Sequence, residues 1–290
     1  MTAPRPAPAT RFFPVEGTAL AAHYWPAEGG AVPLVFAHAT GFHGRVWDEV
    51  IARLPAHPAW ALDLRGHGRT GGGPIDDWRI LARDVAAVMA EAGLAGAVGV
   101  GHSMGAHTLL QVAADHPALL RRLVLFDPVI LAPDYYAQPM AIGQENRHPA
   151  ARRKRDFPDA EAMIARFRTR DPYDLFDRQV FEDYCRHGLV PAASGEGMEL
   201  ACTPETEASI YESSRSNPGI LDAARQVDIP VLVVRAQHTT LHDFKSSPTW
   251  PELAGTMPQG VDLYRPDMTH FHPFQDPADA ARIIADFIAA

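Results

Sequence analysis

Short apolar runs alternate with helix-like patterns in the first half of the chain and again near its end. Most of these runs are continuous, which is typical of strands covered on both faces by helices. They predict strands at residues 12–18, 20–25, 34–38, 59–64, 97–101, 123–126, 231–234 and 261–264. Apolar residues at helical spacing predict helices at residues 46–54, 76–92, 103–116 and 277–289. The pattern therefore predicts an α/β fold with a mostly parallel sheet.

The alternation stops after Asp127-Pro128 and resumes at about residue 226. Residues 131–225 contain no convincing buried strand, and helical patterns cover 160–170, 178–187 and 205–214. Such an insertion is expected to lie over the carboxyl edge of the sheet, where α/β folds place their sites. The predicted domains are a core of residues 1–130 and 226–290, a helical cap or lid of residues 131–225, and a disordered leader of residues 1–10.

Composition narrows the function classes. The formal net charge of −9 argues against a nucleic-acid or anionic-membrane partner, because both call for a basic surface. Two cysteines, Cys185 and Cys202, are too few for a disulfide framework and indicate a reducing compartment. No segment suits a signal peptide or a membrane span. We therefore expect a cytoplasmic protein that acts on a small molecule, as a monomer or a homodimer.

The strongest chemical signal is the G-x-S-x-G sequence at residues 101–105, directly after the predicted strand 97–101 and before the predicted helix 103–116. A serine on a tight strand-to-helix turn presents its hydroxyl to a substrate, and the flanking glycines allow the strained turn to pack closely. This context predicts that Ser103 is a nucleophile rather than an incidental serine in a glycine-rich turn.

A serine hydroxyl needs a general base, and the base needs a third group that orients it. We favour His270 as the base, since it lies in the loop between the last predicted strand and the last helix. His272 in the same loop is the alternative. Three further histidines near motifs are expected to have packing or hydrogen-bonding roles, namely His67, His102 and His238.

The acid is less sharply defined by the sequence. Asp127 lies just past the predicted strand 123–126, one helix and one strand after Ser103, so it is expected to emerge beside the nucleophile. A carboxylate there can accept the second ring proton of the histidine. Asp243 is the alternative acid, and Asp127 as a simple turn former before proline is the third possibility.

The oxyanion formed during attack on a carbonyl needs backbone N–H donors at fixed positions. We predict one donor at Met104, the residue after the nucleophile. The other is predicted at Thr40, in the loop after the strand 34–38, where Ala39 and Gly41 leave the backbone accessible.

Together these motifs resemble the α/β-hydrolase superfamily over nearly the whole chain. HATGF at 38–42 is similar to its oxyanion loop, DLRGHG at 63–68 to its D-x-R-G-x-G turn, GHSMG at 101–105 to its nucleophile elbow, and HFHPFQDP at 270–277 to its histidine loop. Alanine stands at position 39 where the family usually has glycine. The turn after the cap also lacks the common aspartate, which points to the branch of the family whose acid follows the strand before the cap, here Asp127.

The resemblance implies a serine esterase or acyl hydrolase that needs no cofactor and no metal. Hydrolysis of a C–C bond, a lactone or an amide, and perhydrolysis, would use the same three side chains and stay open, as does a non-catalytic receptor. Aromatic residues of the insertion suggest a small to medium, largely apolar substrate. The basic cluster 152–155 either binds an anionic part of the substrate or, as charge runs more often do, faces solvent.

Overall fold

The computed structural model describes residues 7–27, 30–138, 147–240 and 243–290. The strands of the described residues, in chain order, are β1 Ala9–Val15, β2 Thr18–Trp25, β3 Leu34–Ala37, β4 Ala59–Asp63, β5 Ala97–His102, β6 Leu120–Phe126, β7 Asp156–Phe157, β8 Leu189–Pro191, β9 Met198–Leu200, β10 Val231–Ala236 and β11 Gly260–Arg265. The α-helices are α1 Asp48–Ala52, α2 Arg79–Glu91, α3 Met104–Asp115, α4 Pro133–Ala137, α5 Ala160–Phe167, α6 Arg178–His187, α7 Pro204–Glu212, α8 Ile220–Gln226, α9 His272–Gln275 and α10 Pro277–Ala289.

Eight of these strands form one sheet in the order β1-β2-β4-β3-β5-β6-β10-β11. Pairing is parallel from β4 across to β11, whereas β2 runs antiparallel to both β1 and β4. The prediction of a mostly parallel sheet is therefore confirmed. Because parallel strands end at the same edge, the loops after β3, β5, β6 and β10 leave the sheet side by side.

Two layers of helices bury the two faces of this sheet. Helix α3 packs against α2 and α8 in one layer, and α1 packs against α10 in the other. Successive residues of β3 point to opposite faces of the sheet. Val35 and Ala37 belong to one hydrophobic core, and Leu34 and Phe36 belong to the other. Burial on both faces explains why the central strands β3, β4 and β5 consist almost entirely of apolar residues. Within the described ranges, no helix has the length and apolar character needed to cross a membrane.

The segment of residues 131–225 contributes no strand to the main sheet in its described part. It contains helices α4 to α8, but also a small antiparallel sheet in the order β7-β9-β8. The sequence predicted no convincing buried strand here and missed these three strands, each of which has only one buried residue. Each of the three strands is only two or three residues long, which is too short to produce a visible alternation of apolar and polar residues. Residues 139–146 lie outside the described part.

Two predicted boundaries near the N-terminus also differ from the structure. Strand β1 begins at Ala9, which pairs with Tyr24 of β2, so the predicted leader of residues 1–10 extends too far. Residues 1–6 of that leader lie outside the described residues. Helix α2 begins at Arg79 rather than at residue 76, because the carboxylate of Asp77 accepts the backbone N–H of Arg79 and holds the preceding residues in a turn.

The turn between β5 and α3 brings backbone segments unusually close. Ser103 has φ of 56°, a left-handed conformation that is strained for a residue with a side chain. A Cβ atom on Gly105 would overlap the backbone of Ala37 and His38, and one on Gly101 would overlap the backbone of Gly105 and Ala106. Gly105 therefore allows this turn to rest against the end of β3, and Gly101 allows the first turn of α3 to pack closely against β5.

We expect Gly105→Ala to lower the free energy of unfolding by about 2–3 kcal/mol, because the new methyl group must displace the backbone after β3. The matched control is Gly255→Ala, since a Cβ at Gly255 meets no atom within 4 Å. That control is expected to change stability by less than about 0.5 kcal/mol. Urea denaturation followed by circular dichroism measures both variants, and equal losses would contradict the close approach at Gly105.

Candidate active site

Four of the predicted site residues follow strands that end at the carboxyl edge of the sheet. Thr40 follows β3, Ser103 follows β5 and Asp127 follows β6. His270 lies in the loop between β11 and α9, and its backbone N–H donates to the carbonyl oxygen of Lys245 at 2.9 Å. Residues that are far apart in the chain therefore come to one edge because the strand order places their loops there.

Ser103, His270 and Asp127 form a continuous hydrogen-bonded row. The Nε2 atom of His270 lies 3.1 Å from Oγ of Ser103, and its Nδ1 atom lies 2.9 Å from Oδ2 of Asp127. With the ring proton on Nδ1, the imidazole donates to the carboxylate and accepts from the serine hydroxyl. Ser103 is 5% exposed and Asp127 is 2% exposed, so the row is largely shielded from water. This is the arrangement that proton transfer from the hydroxyl requires.

The second carboxylate oxygen of Asp127 accepts hydrogen bonds from the last residue of β10 and from two residues after that strand. Its Oδ1 atom accepts the hydroxyl of Ser247 at 2.5 Å, the hydroxyl of Thr249 at 3.4 Å and the backbone N–H of Ala236 at 3.1 Å. Asp127 itself has φ of 47°, so its side chain is presented from a strained turn. Sequence reasoning missed Ser247 and Thr249, since neither belongs to a motif and both lie more than a hundred residues from Asp127.

His102 supports His270 from behind. Its Nε2–H donates to the backbone carbonyl oxygen of His270 at 2.7 Å, and the two rings lie 4.9 Å apart. Burial lowers the pKa of His102 well below its ordinary value, with a smaller contribution from His270. His102 is thus neutral and fixes the backbone of His270, in line with the predicted hydrogen-bonding role.

The alternative base, His272, and the alternative acid, Asp243, form hydrogen bonds with other residues. His272 Nε2 lies 2.8 Å from Oδ2 of Asp279. Asp243 accepts the hydroxyl of Thr239 at 3.2 Å and the backbone N–H of Lys245 at 2.9 Å. The hydrogen bonds of these two residues do not reach Ser103 or His270 in the described part of the chain. The geometry therefore brings together His270 and Asp127 and leaves both alternatives outside the row.

The two predicted oxyanion donors are neighbours. The hydroxyl of Thr40 contacts Sδ of Met104 at 3.5 Å, and Met104 is the first residue of α3. Neither backbone N–H has a hydrogen-bond acceptor among the residues that the structure describes. Two unpartnered N–H groups beside a serine hydroxyl suit a developing negative charge on a carbonyl oxygen.

Two neutral histidines hold the loop that carries Thr40. His67 accepts the backbone N–H of Gly41 on Nε2 at 3.0 Å, and its Nδ1 lies 2.9 Å from the carbonyl oxygen of Arg65. His38 accepts the backbone N–H of Leu64 on Nε2 at 3.0 Å, and its Nδ1 lies 2.8 Å from the carbonyl oxygen of Ala39. Burial lowers the pKa of His67 to about 4 and that of His38 well below its ordinary value. The sequence motifs 38–42 and 63–68 are thus parts of one hydrogen-bonded unit.

A cavity of about 240 Å³ lies beside this loop. Thr40, Gly41 and Phe42 border it from the sheet side, as does Phe271, the residue after His270. Most of its remaining border belongs to the segment 131–225, mainly aromatic residues and Arg153 of the basic cluster. Of the predicted site residues, only Thr40 lines this cavity; Ser103, Met104, Asp127 and His270 do not.

Comparisons with known proteins agree with this architecture. The model of the alpha/beta hydrolase family matches residues 34–288. An esterase of Mycobacterium tuberculosis is 31% identical over 153 residues, which are 52% of this chain and 50% of that protein. The 2-(acetamidomethylene)succinate hydrolase of Mesorhizobium japonicum is 27% identical over 249 residues, covering 82% of this chain and 84% of that protein. The crystal structure of an E-2-(acetamidomethylene)succinate hydrolase matches with a TM-score of 0.76 and 21% identity, over 97% of this chain and 99% of that chain.

These similarities carry different weight. This chain spans only half the length of the Mycobacterium esterase, and the solved structure, at 21% identity, shows the fold alone. The family model, by contrast, covers the chain from the start of β3 almost to the end of α10. On that match, and with the α/β sheet described above, the chain belongs to the alpha/beta hydrolase family.

Proposed function

We propose that this chain is a serine hydrolase that cleaves a carboxylic ester, or a thioester, of a small to medium and largely apolar substrate. The observation that carries the proposal is the row Ser103–His270–Asp127 with hydrogen bonds of 3.1 and 2.9 Å. A serine hydroxyl becomes a nucleophile when a base touches it and an acid orients that base. The row supplies both, and the reaction it performs needs no cofactor or metal.

In the proposed mechanism, His270 Nε2 takes the proton of Ser103 as the serine oxygen attacks the substrate carbonyl carbon. Asp127 stabilises the resulting imidazolium through the bond at Nδ1. The backbone N–H groups of Thr40 and Met104 hydrogen-bond to the oxyanion, and such a donor contributes about 10²–10³ in rate. His270 then protonates the leaving alcohol or thiol, and later activates the water that releases the acid from Ser103.

We also propose that residues 131–225 act as the cap of this site. The cavity beside Thr40 supports this, because its sheet side comes from the catalytic loops and most of its other side comes from the segment. A cap of this kind selects the substrate and limits the access of water to the acyl-enzyme. Its aromatic lining suits an apolar acyl or alcohol portion.

Amide hydrolysis is the second candidate function. It is favoured by the match, over most of both chains, to a hydrolase whose named compound carries an acetamido group. The same row of side chains would act, but the departing nitrogen must receive a proton from His270 before the C–N bond can break. An ester is cleaved more readily than an amide because an alkoxide is a better leaving group than an amide anion, so esters are the more sensitive probe of the site.

The experiment that tests the proposal measures release of 4-nitrophenol from acetyl, butyryl and hexanoyl 4-nitrophenyl esters. Release of 4-nitrothiophenol from the corresponding thioesters and of 4-nitroaniline from the corresponding anilides is measured in parallel. We expect saturable turnover of the esters that exceeds the background of the Ser103→Ala variant. Turnover of anilides at a comparable kcat/KM would favour the amide candidate. Ester turnover that is equal in wild type and Ser103→Ala would contradict a serine hydrolase.

A further inference from the structure

The basic cluster 152–155 divides into two parts in the structure. Arg152, Lys154 and Arg155 are exposed, whereas Arg153 is partly buried and lines the cavity beside the oxyanion loop. The guanidinium of Arg153 lies close to Gly41, since its Nη1 would be 3.5 Å from a Cβ built there. One positive charge is therefore placed next to the proposed site, within a largely aromatic cavity.

Only part of the hydrogen-bonding capacity of Arg153 is used by the protein. Its Nη1 forms an ion pair with Glu207, and its Nη2 donates to the hydroxyls of Tyr173 at 3.2 Å and Tyr184 at 2.9 Å. A guanidinium has five N–H groups, so two remain without a partner in the described part of the chain. The two tyrosine hydroxyls are 3.3 Å apart. If one donates to the other, the second hydroxyl still has a proton to give.

Two further donors line the same cavity. The hydroxyl of Tyr211 has no hydrogen-bond partner among the described residues, although the residue lines the cavity. The ring of His148 stacks on Tyr211 at 4.3 Å. Its Nδ1 accepts the backbone N–H of Ala150, so the neutral ring carries its proton on Nε2. The cavity thus presents several hydrogen-bond donors that have no acceptor among the described residues.

Glu207 is the only carboxylate among the described residues that line this cavity. One of its oxygens is paired with Arg153, and the other packs against Gly41. A ligand group that complements a surplus of donors is one that only accepts hydrogen bonds. A carboxylate is such a group, and charge-assisted bonds to a guanidinium are about twice as strong as neutral ones.

We propose that this cavity binds a carboxylate carried by the substrate, with Arg153, Tyr211 and His148 as its hydrogen-bond donors. This inference rests on the proposed ester hydrolysis at Ser103 and specifies its substrate class as half-esters of dicarboxylic acids. Because Gly41 lies next to Thr40, the acyl chain between the scissile carbonyl and the carboxylate is short. Arg153 is then a specificity residue, which binds substrate but takes no part in the proton transfers.

The charge of Glu207 must be balanced when a second carboxylate enters. Burial raises the pKa of Glu207, against the opposing effect of Arg153, so its carboxyl group can take up a proton as the substrate binds. The titratable and charged groups around it come from several elements: Arg153, Tyr173, Tyr184, Tyr211, Cys202 and His148. It follows that Glu207→Gln, which keeps the shape but removes the competing charge, should tighten binding of a carboxylate.

The test compares monomethyl esters of succinic, glutaric and adipic acids with the methyl esters of the matching acid amides, which have the same length but no charge. For wild type we expect kcat/KM to favour the acid by about tenfold or more at the best length. Arg153→Met should remove this preference by raising KM for the acid much more than KM for the amide. Glu207→Gln should increase the preference.

Arg153→Met leaves Glu207 unpaired, so the double variant Arg153→Met/Glu207→Met is measured as well, since it removes both charges together. It should fold and also lack the preference for the acid. Equal losses for acid and amide substrates in every variant would overturn the inference and give the pair a structural role only. Cleavage of 4-nitrophenyl esters with no preference for half-esters would overturn it while the proposed function stands. If the wild type cleaves no ester of any kind, the proposed function itself fails.

Discussion

Replacing Ser103 with alanine should lower kcat for a 4-nitrophenyl ester by about 10⁵-fold or more. The expected size follows from the loss of the nucleophile in a site where serine, base and acid act as one unit, so that removing one member removes most of their joint effect. The hydroxyl lies 3.1 Å from His270, and no other serine is hydrogen-bonded to that ring in the described ranges. Steady-state kinetics under identical conditions for both proteins measures the effect.

The control for Ser103→Ala is Ser213→Ala. Ser213 is also buried, and its hydroxyl donates to the carbonyl oxygen of Ile75 at 3.1 Å. Its removal should affect stability but leave kcat within about twofold, because the mutated group is not part of the hydrogen-bonded row. A comparable loss of kcat in both variants would indicate general damage to the fold rather than loss of the nucleophile.

The second large effect is expected for Asp127→Asn, with a loss of about 10³–10⁴ in kcat. An amide cannot stabilise the imidazolium by charge, and its NH₂ group favours the wrong ring tautomer of His270. Ser247 and Thr249 also donate to this side chain, and they restrict how an asparagine can turn. Kinetics with a saturating ester, together with thermal unfolding to verify the fold, measures the change.

Asp243→Asn is the matched control for the acid. Asp243 is hydrogen-bonded to Thr239 and Lys245, so its replacement should leave kcat within about twofold. The opposite ranking, with the larger loss in Asp243→Asn, would show that the acid had been assigned to the wrong carboxylate.

Much of the site was predictable because its chemistry resides in short local motifs. Ser103 and Met104 belong to a turn in which Gly105 is required by the close approach to β3, and Gly101 by the close approach to the first turn of α3. Thr40 follows β3, which a continuous apolar run predicts, and His270 lies between the predicted strand 261–264 and the predicted helix 277–289. The proximity of these residues then follows from parallel pairing, since the loops after parallel strands all lie at the same edge of the sheet.

Asp127 could be favoured but not separated from Asp243 by residue patterns alone. The choice depends on which loop reaches the second ring nitrogen of His270, and the hydrogen bonds to Ser247, Thr249 and Ala236 that position Asp127 span over a hundred residues. Neither the periodicity of the sequence nor a local motif predicts contacts between residues so far apart in the chain. The preference for Asp127 came from its position one helix and one strand after Ser103, together with the resemblance to one branch of the family.

The contents of the segment 131–225 were the least predictable part. Its three strands are too short for an alternating pattern, and the pairing of Arg153 with Glu207 joins positions 54 residues apart. A run of four basic residues usually faces solvent, and three of the four do. Tertiary packing alone decides that the fourth turns into the cavity.

The proposed mechanism depends on His270, which activates the hydroxyl of Ser103 for covalent attack. The most direct measurement is tandem mass spectrometry of the protein after reaction with a fluorophosphonate, which reports the modified residue itself. We expect one adduct, on Ser103, formed much more slowly when His270 is replaced by glutamine. An adduct on a different residue, or efficient ester turnover by a protein whose Ser103 stays unmodified, would contradict it.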